Sequence, residues 1–455
     1  MALLIKNGKI ITAEQSYQAD LLIEAEKIVQ IGKDIKAPEA EIIDAAGKYI
    51  LPGAIDAHVH MQMPFGGTVS ADDYAAGTKA AACGGVTSII DFVTQAAGET
   101  LVDSLKRKEA ACIPQAHIDY GFHVCITKMA ENTVAEMKEL VAYGVPTFKV
   151  FTAYKSSGLM IEDGDLVEVM QAAKEIGARI SVHAENGSII DNRVAKFLAA
   201  GKTSAWYHYL SRPEFVEEEA TLRVINLAKS LDVPVYIVHL ASQEGVKAVN
   251  RARNEGYEIY AETCPQYLHF TKDVYKQDNG KDFVCSPPIK GQASQDELWR
   301  GIERGDISVL ATDHCPFTAE EKEWGKDDFS KIPNGCMGVE NIYPYMLDKA
   351  NQGQLTFNKV VELCASNPAK LFGCSDQKGA IAPGYDADIV IYDPEQEFTV
   401  TADKMHSNLN YTIWEGLELS GYPVTTISRG EIVYNNGEFL AEPGRGKFIA
   451  RSLEA

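Results

Sequence analysis

What this chain lacks narrows its class before any motif is read. No apolar run among its 455 residues is long enough to span a bilayer, which argues against a membrane protein. The opening Met1-Ala2-Leu3-Leu4-Ile5-Lys6-Asn7-Gly8 breaks into a turn before a signal-peptide core could form, so a cytoplasmic location is expected. Its nine cysteines (83, 112, 125, 264, 285, 315, 336, 364 and 374) include no Cys-x-x-Cys pair and read as reduced, mostly buried thiols. Positive charge is in deficit, 43 Lys and Arg against 64 Asp and Glu. The resulting net charge of −21 disfavours nucleic acid or an anionic membrane as partner. Solenoid repeats and low-complexity tracts are missing too.

What is present has two textures. Residues 1 to about 50 alternate and turn like short strands, in Leu3-Leu4-Ile5, Ile10-Ile11, residues 21–25 and residues 27–32. The same texture returns in residues 388–393 and 425–439. Short strands at one end of a chain leave open edges, and pairing the two terminal segments would close them. Between them, apolar runs alternate with helical patterns such as residues 165–176 before Gly177 and 217–231 before Pro234. Eight runs qualify as strands: 54–60, 87–93, 120–124, 147–151, 180–183, 235–240, 258–263 and 307–313. The expected fold is α/β, a TIM (β/α)₈ barrel over residues 52–382 with a smaller β-sandwich domain built from both termini, 1–51 and 383–455.

In such a barrel the functional groups gather at the C-terminal ends of the strands. His58 and His60 stand at i and i+2 on the first strand, so both imidazoles face one side and can share a metal ion. Lys149 ends the fourth run, His183 the fifth, His239 the sixth and Asp313 the eighth. A lone histidine in a strand is more often a core residue than a ligand. Four histidines and an aspartate converging on one mouth point to a metal site. Lys149 lies among Phe148, Val150 and Phe151, where desolvation disfavours the ammonium. A neutral amine there could take up carbon dioxide as a carbamate and bridge two cations; otherwise the lysine snorkels or pairs with a carboxylate. A binuclear site would place His58, His60 and Asp313 on one ion and His183 and His239 on the other, with modified Lys149 between them. Two such ions lower the pKa of a shared water to give a bridging hydroxide and polarise a carbonyl, which suits amide hydrolysis with Asp313 as base and acid. Tyr154, on the loop leaving the fourth strand, is either an oxyanion donor or a packed aromatic.

These motifs, Asp56-Ala57-His58-Val59-His60, Phe148-Lys149, Val182-His183-Ala184-Glu185-Asn186, Val238-His239-Leu240-Ala241-Ser242 and Ala311-Thr312-Asp313-His314-Cys315-Pro316, together with residues 383–390, resemble the amidohydrolase superfamily. The similarity is greatest to its hydantoinase and dihydropyrimidinase branch and runs over essentially the whole chain. The resemblance implies two zinc ions bridged by N6-carboxylated Lys149, and Tyr154 of Ala153-Tyr154-Lys155 as the oxyanion donor. It also implies that Ser286 and Asn334, in otherwise unremarked turns, hold the imide-like edge of a cyclic amide through main-chain atoms. Homotetramers or dimers are common in such families.

Dihydroorotase-like relatives carry an arginine two residues after the histidine pair, whereas Gln62 stands here. Apolar Met63, Phe65 and Leu159 instead either gate a pocket for an exocyclic group or form a simple loop core. The expected activity is ring opening of hydantoins, D-5-substituted ones giving N-carbamoyl-D-amino acids, or of dihydropyrimidines. The alternatives are allantoin or dihydroorotate hydrolysis, or a non-catalytic assembly protein of the same fold.

Overall fold

The computed structural model describes residues 2–96 and 98–453. Eight parallel strands form one sheet in chain order: Ala54–Val59, Val86–Val93, Asp119–Cys125, Thr147–Phe151, Arg179–His183, Val235–Ile237, Ile259–Thr263 and Val309–Leu310. Val59 pairs in parallel with His314, and the His60 N–H donates to the His314 carbonyl at 2.8 Å, so the last segment meets the first and the sheet closes into the expected barrel. Helices cover its outer face, which is why a strand such as Val86–Val93 is buried at every position rather than alternating. The helix Asp163–Ile176 stops on Gly177 at φ 67, a left-handed cap that glycine adopts freely.

The sixth and eighth strands are shorter than their apolar runs. Regular strand ends at Ile237 and Leu310, with isolated hydrogen bonds continuing from Val238 and Ala311, because His239 (φ 39) and Asp313 (φ 54) adopt left-handed backbone that an extended ladder cannot accommodate. The helix Glu214–Leu231 begins earlier than residue 217, where the apolar spacing alone would start it, because Pro213 supplies an extended N-cap.

Two further sheets use both ends of the chain. One has four strands in the order Lys27–Gly32, Asp20–Glu24, Ala2–Lys6, Glu41–Asp44. In the seven-stranded other, Tyr49–Pro52 pairs antiparallel with Ile389–Thr399, setting Ile50 opposite Ile391. Ile5, Ile23, Ile50, Ile389 and Ile427 share one buried cluster between these sheets. After residue 445 the chain leaves them and runs against the barrel. There the Ile449 N–H donates to the Tyr120 carbonyl, and buried Arg451 reaches Thr147 Oγ1 at 3.1 Å. All nine cysteines are buried and unpaired, and no helix is long and apolar enough to cross a membrane among the described residues.

A buried ionic cluster ties these parts together. Lys378 Nζ lies 2.5 Å from Asp119, 3.0 Å from Asp386 and 2.7 Å from Asp388, and Arg429 Nε lies 2.8 Å from Asp119, the first residue of the third barrel strand. Burial opposes ionisation of both Asp119 and Asp388. Lys378 and Arg429 overcome it at Asp119, which is held below its ordinary value, but not at Asp388, which is pushed up. Replacing Lys378 by Met leaves buried carboxylates short of a cation and is expected to destabilise the fold by about 3–5 kcal/mol at neutral pH. A depressed carboxylate contributes stability above its unfolded value of about 3.9 and loses it as pH falls through the folded value, so the deficit should shrink in acid. Thermal unfolding of both proteins at neutral and acid pH measures this, and equal midpoints at neutral pH would contradict it.

Candidate metal centre and active site

The barrel strands deliver their polar ends to one point. His58 and His60 project to the same side of the first strand, while Val59 between them packs into the apolar core. His58 Nε2 stands 3.1 Å and His60 Nε2 3.0 Å from Asp313 Oδ1, and Lys149 Nζ is 3.0 Å from His58 Nε2. Opposite, His183 Nδ1 faces His239 Nε2 at 2.9 Å. Ligand atoms of His58, His239 and Asp313 all lie within 4.8 Å of one another. All six residues predicted to hold metal are therefore brought together.

The chemistry of this set suits a divalent ion. A metal needs neutral imidazoles, and burial pushes His60 down to about 3 and lowers His183 and His239 as well. His58 differs: burial and Lys149 depress it, but Glu262 and Asp313 more than offset them and hold it above its ordinary value. Asp313 stays well below the usual carboxylate range despite burial, because His58 and His60 face it. Lys149 is buried with its ammonium position 4.2 Å from the Phe92 ring centre and 5.1 Å from that of Phe151. Burial lowers its pKa, partly countered by Asp313, and no carboxylate forms an ion pair with it among the described residues.

Sequence reasoning missed the carboxylates that orient these rings. Glu262 Oε1 hydrogen-bonds His58 Nδ1, leaving Nε2 to face the cluster. Glu185 Oε2 lies 3.0 Å from His183 Nε2 and pairs with the Arg212 guanidinium, which in turn sits 5.4 Å from the Tyr154 ring centre. The available signal was a carboxylate inside or just past an apolar strand end, buried where an unpaired charge would be costly. His314, by contrast, turns away: its Nε2 reaches Asp72 at 2.9 Å and its Nδ1 accepts the Gly338 N–H at 3.1 Å.

Above the cluster opens a cavity of about 610 Å³ lined by His60, Lys149, His183, His239 and Asp313 at its base. Tyr154, Ser286, Asn334, Met63, Phe65 and Leu159 form walls, as expected, and Thr94 and Gln95 join them unforeseen. Gln62 does not line it. Tyr154 holds φ 67, an uncommon conformation for a tyrosine, and its ring meets that of Phe65 edge-on at 5.6 Å. Asn334 Nδ2 donates to Ser286 Oγ at 3.0 Å. The backbone N–H and C=O groups of Ser286 and Asn334 make no hydrogen bond among the described residues, leaving them free for a ligand's edge.

If Glu262 fixes the His58 ring, Glu262→Ala should weaken divalent-ion affinity by about 10–100-fold. Titration against a competing chelator checks this, and unchanged affinity would contradict it.

Comparison with known proteins agrees with the geometry. The sequence profile of the amidohydrolase family matches residues 49–433. A D-hydantoinase of Streptomyces coelicolor is 41% identical over 98% of this chain and 97% of the relative. One from Geobacillus stearothermophilus is 40% identical over 99% and 97%. Among solved structures, dihydropyrimidinase from Brevibacillus agri superposes with a TM-score of 0.98 at 40% identity over 100% of both chains. An L-hydantoinase (dihydropyrimidinase) from Arthrobacter aurescens reaches 0.90 at 31% identity over 99% of each. The ligand groups fit the binuclear divalent-metal site of such enzymes, and the chain belongs to the amidohydrolase family, in its hydantoinase and dihydropyrimidinase branch.

Proposed function

We propose that this chain hydrolyses the ring amide of hydantoins and dihydropyrimidines, taking D-5-substituted hydantoins to N-carbamoyl-D-amino acids. The observation that carries this reading is the convergence of His60, His183, His239, Asp313 and Lys149 at the base of a cavity, with His58 against the last two, and a wall whose backbone groups at Ser286 and Asn334 make no hydrogen bond among the described residues. The full-length similarity to D-hydantoinases supports the same reading, with D preference.

His58, His60 and Asp313 would hold one zinc ion and His183 and His239 the other, with N6-carboxylated Lys149 between them. The burial of Lys149 among Phe92 and Phe151, with its pKa lowered and no carboxylate paired to it among the described residues, supports carboxylation. When bound, the two ions supply Lewis acidity toward a carbonyl and lower the pKa of water. Asp313 takes the proton released during attack and delivers it to the departing ring nitrogen. Burial keeps the Tyr154 hydroxyl protonated by raising its pKa, so it can donate to the developing oxyanion. Main-chain atoms of Ser286 and Asn334 hold the N–H and C=O edge of the ring, and Met63, Phe65 and Leu159 surround the exocyclic group. The chemistry belongs to the barrel unit, 52–382; the unit formed by 1–51 and 383–455 closes the open edges of both termini. A cytoplasmic homotetramer or dimer fits the nine unpaired thiols and the habit of such enzymes.

A panel of racemic 5-substituted hydantoin, dihydrouracil, allantoin and dihydroorotate, with chiral analysis of the products, tests the reading. Ring opening of the first two, with an excess of the D product from the hydantoin, is expected. Turnover of dihydroorotate or allantoin alone would overturn it.

A further inference from the structure

Lys322 is fully buried on the short helix Ala319–Lys322, outside the metal cluster. Of the other buried lysines, Lys108 and Lys378 face carboxylates, at 3.0 Å from Asp91 and 2.5 Å from Asp119, Lys149 belongs to the metal cluster, and Lys290 donates to the Arg212 carbonyl at 2.7 Å. Lys322 faces no carboxylate. Its Nζ donates to three backbone carbonyls, Val284 at 3.0 Å, Pro333 at 2.9 Å and Gly335 at 2.7 Å. A charge taken out of water without an opposite charge is costly unless strong hydrogen bonds satisfy every proton, and here three are supplied. Burial lowers its pKa, and the Cys336 and Cys285 thiols and Asp282 act in the other direction.

The three carbonyls are not scattered. Val284 lies two residues before Ser286, and Pro333 and Gly335 flank Asn334 on either side. The two loops touch directly as well, through Gly335 N–H to the Val284 carbonyl at 2.9 Å and Asn334 Nδ2 to Ser286 Oγ at 3.0 Å. Gly335 allows no adjustment: a Cβ there would stand 2.1 Å from the Cys315 carbonyl oxygen. The helix that carries Lys322 is itself pinned by a capping box between Thr318 and Glu321, and Glu321 also accepts from Thr68 of the loop bearing Met63 and Phe65.

We propose that Lys322 is a positioning residue for substrate recognition, its ammonium clamping the 284–286 and 333–335 loops so that the backbone groups of Ser286 and Asn334 stand at the spacing of a cyclic imide edge. The Pro333 carbonyl shares a peptide plane with the Asn334 N–H, the Gly335 N–H bonded to the Val284 carbonyl shares one with the Asn334 carbonyl, and the Val284 carbonyl ties the segment just before Ser286 to the same cation. The clamp never touches the ring. It rests on the function proposed above, in which these residues hold the ring.

Lys322→Met keeps the length and apolar stem and removes the charge. Binding of a cyclic imide such as succinimide should weaken by about tenfold or more, the size of one charge-assisted hydrogen bond. KM for hydantoin should rise in parallel while kcat changes little. Affinity for acetohydroxamate, which chelates the metal ions and does not need the imide edge, should stay unchanged, as should metal content. A variant that loses both ligands equally, or neither, overturns the clamp. Should Lys322→Met fail to fold, Lys322→Gln, which keeps two N–H donors without charge, must show the same selective loss at smaller size; equal loss of both ligands there overturns the clamp too. A wild-type protein that opens no hydantoin and binds no imide overturns the functional reading and the clamp together, whereas an active wild type with an unaffected variant overturns the clamp alone.

Discussion

The site depends on how the barrel closes. Its last strand is only Val309–Leu310, too short to zip against the first by ladder alone. Asp56 completes the seam. Its carboxylate accepts from the Thr312 N–H at 3.1 Å, the Thr312 hydroxyl at 2.5 Å and the His58 N–H at 3.2 Å. One buried side chain thus sets the height of His58 and His60 against that of Asp313, and burial raises its pKa to about 6 although all three hydrogen bonds favour the carboxylate. That requirement explains an aspartate two residues before the first histidine, where an apolar residue would pack more easily.

Chain closure also explains where the backbone is strained. His239 and Asp313 leave their strands in left-handed conformations, and Tyr154 does so just past the fourth. Each departure turns a side chain across the mouth of the barrel rather than along the strand direction. Such conformations persist only where neighbours over-determine them, and Glu262 does this at two points, on the His58 ring and on the His239 N–H at 3.1 Å. The His58 ring is thus oriented by a carboxylate from across the barrel and the His183 ring by one just past its own strand, while the apolar layer of Phe92 and Phe151 keeps Lys149 desolvated.

Much of this was legible in the sequence, for a physical reason. Buried parallel strands are continuous apolar runs, so a polar residue at the end of one is conspicuous, and His58, His183 and Asp313 became legible as ligands once they were taken together. The pairing of Tyr49–Pro52 with Ile389–Thr399 was inferable from unsatisfied edges at both ends of the chain. Illegible were residues whose role depends on what they meet across space. Lys322 sits in Glu320-Glu321-Lys322-Glu323, which reads as a solvated charged face, and only the fold turns it inward onto three carbonyls. Arg212 similarly looks like an ordinary helix-end cation until Glu185 and Tyr154 close around it. Strand lengths failed where hydrophobicity continued past the end of regular strand, as at Val238 and Ala311, each of which keeps one interstrand hydrogen bond.

The central claim is that Lys149 acts as a metal ligand only after carboxylation. It is tested most directly by counting metal ions per chain in the wild type and in Lys149→Ala, each reconstituted with zinc and bicarbonate and measured with and without a short carboxylic acid such as propionate. Two ions in the wild type, loss of metal in the variant and partial recovery of both metal and hydrolysis with the acid are the predicted results. A variant that keeps its full complement of metal and full activity without the acid would contradict it.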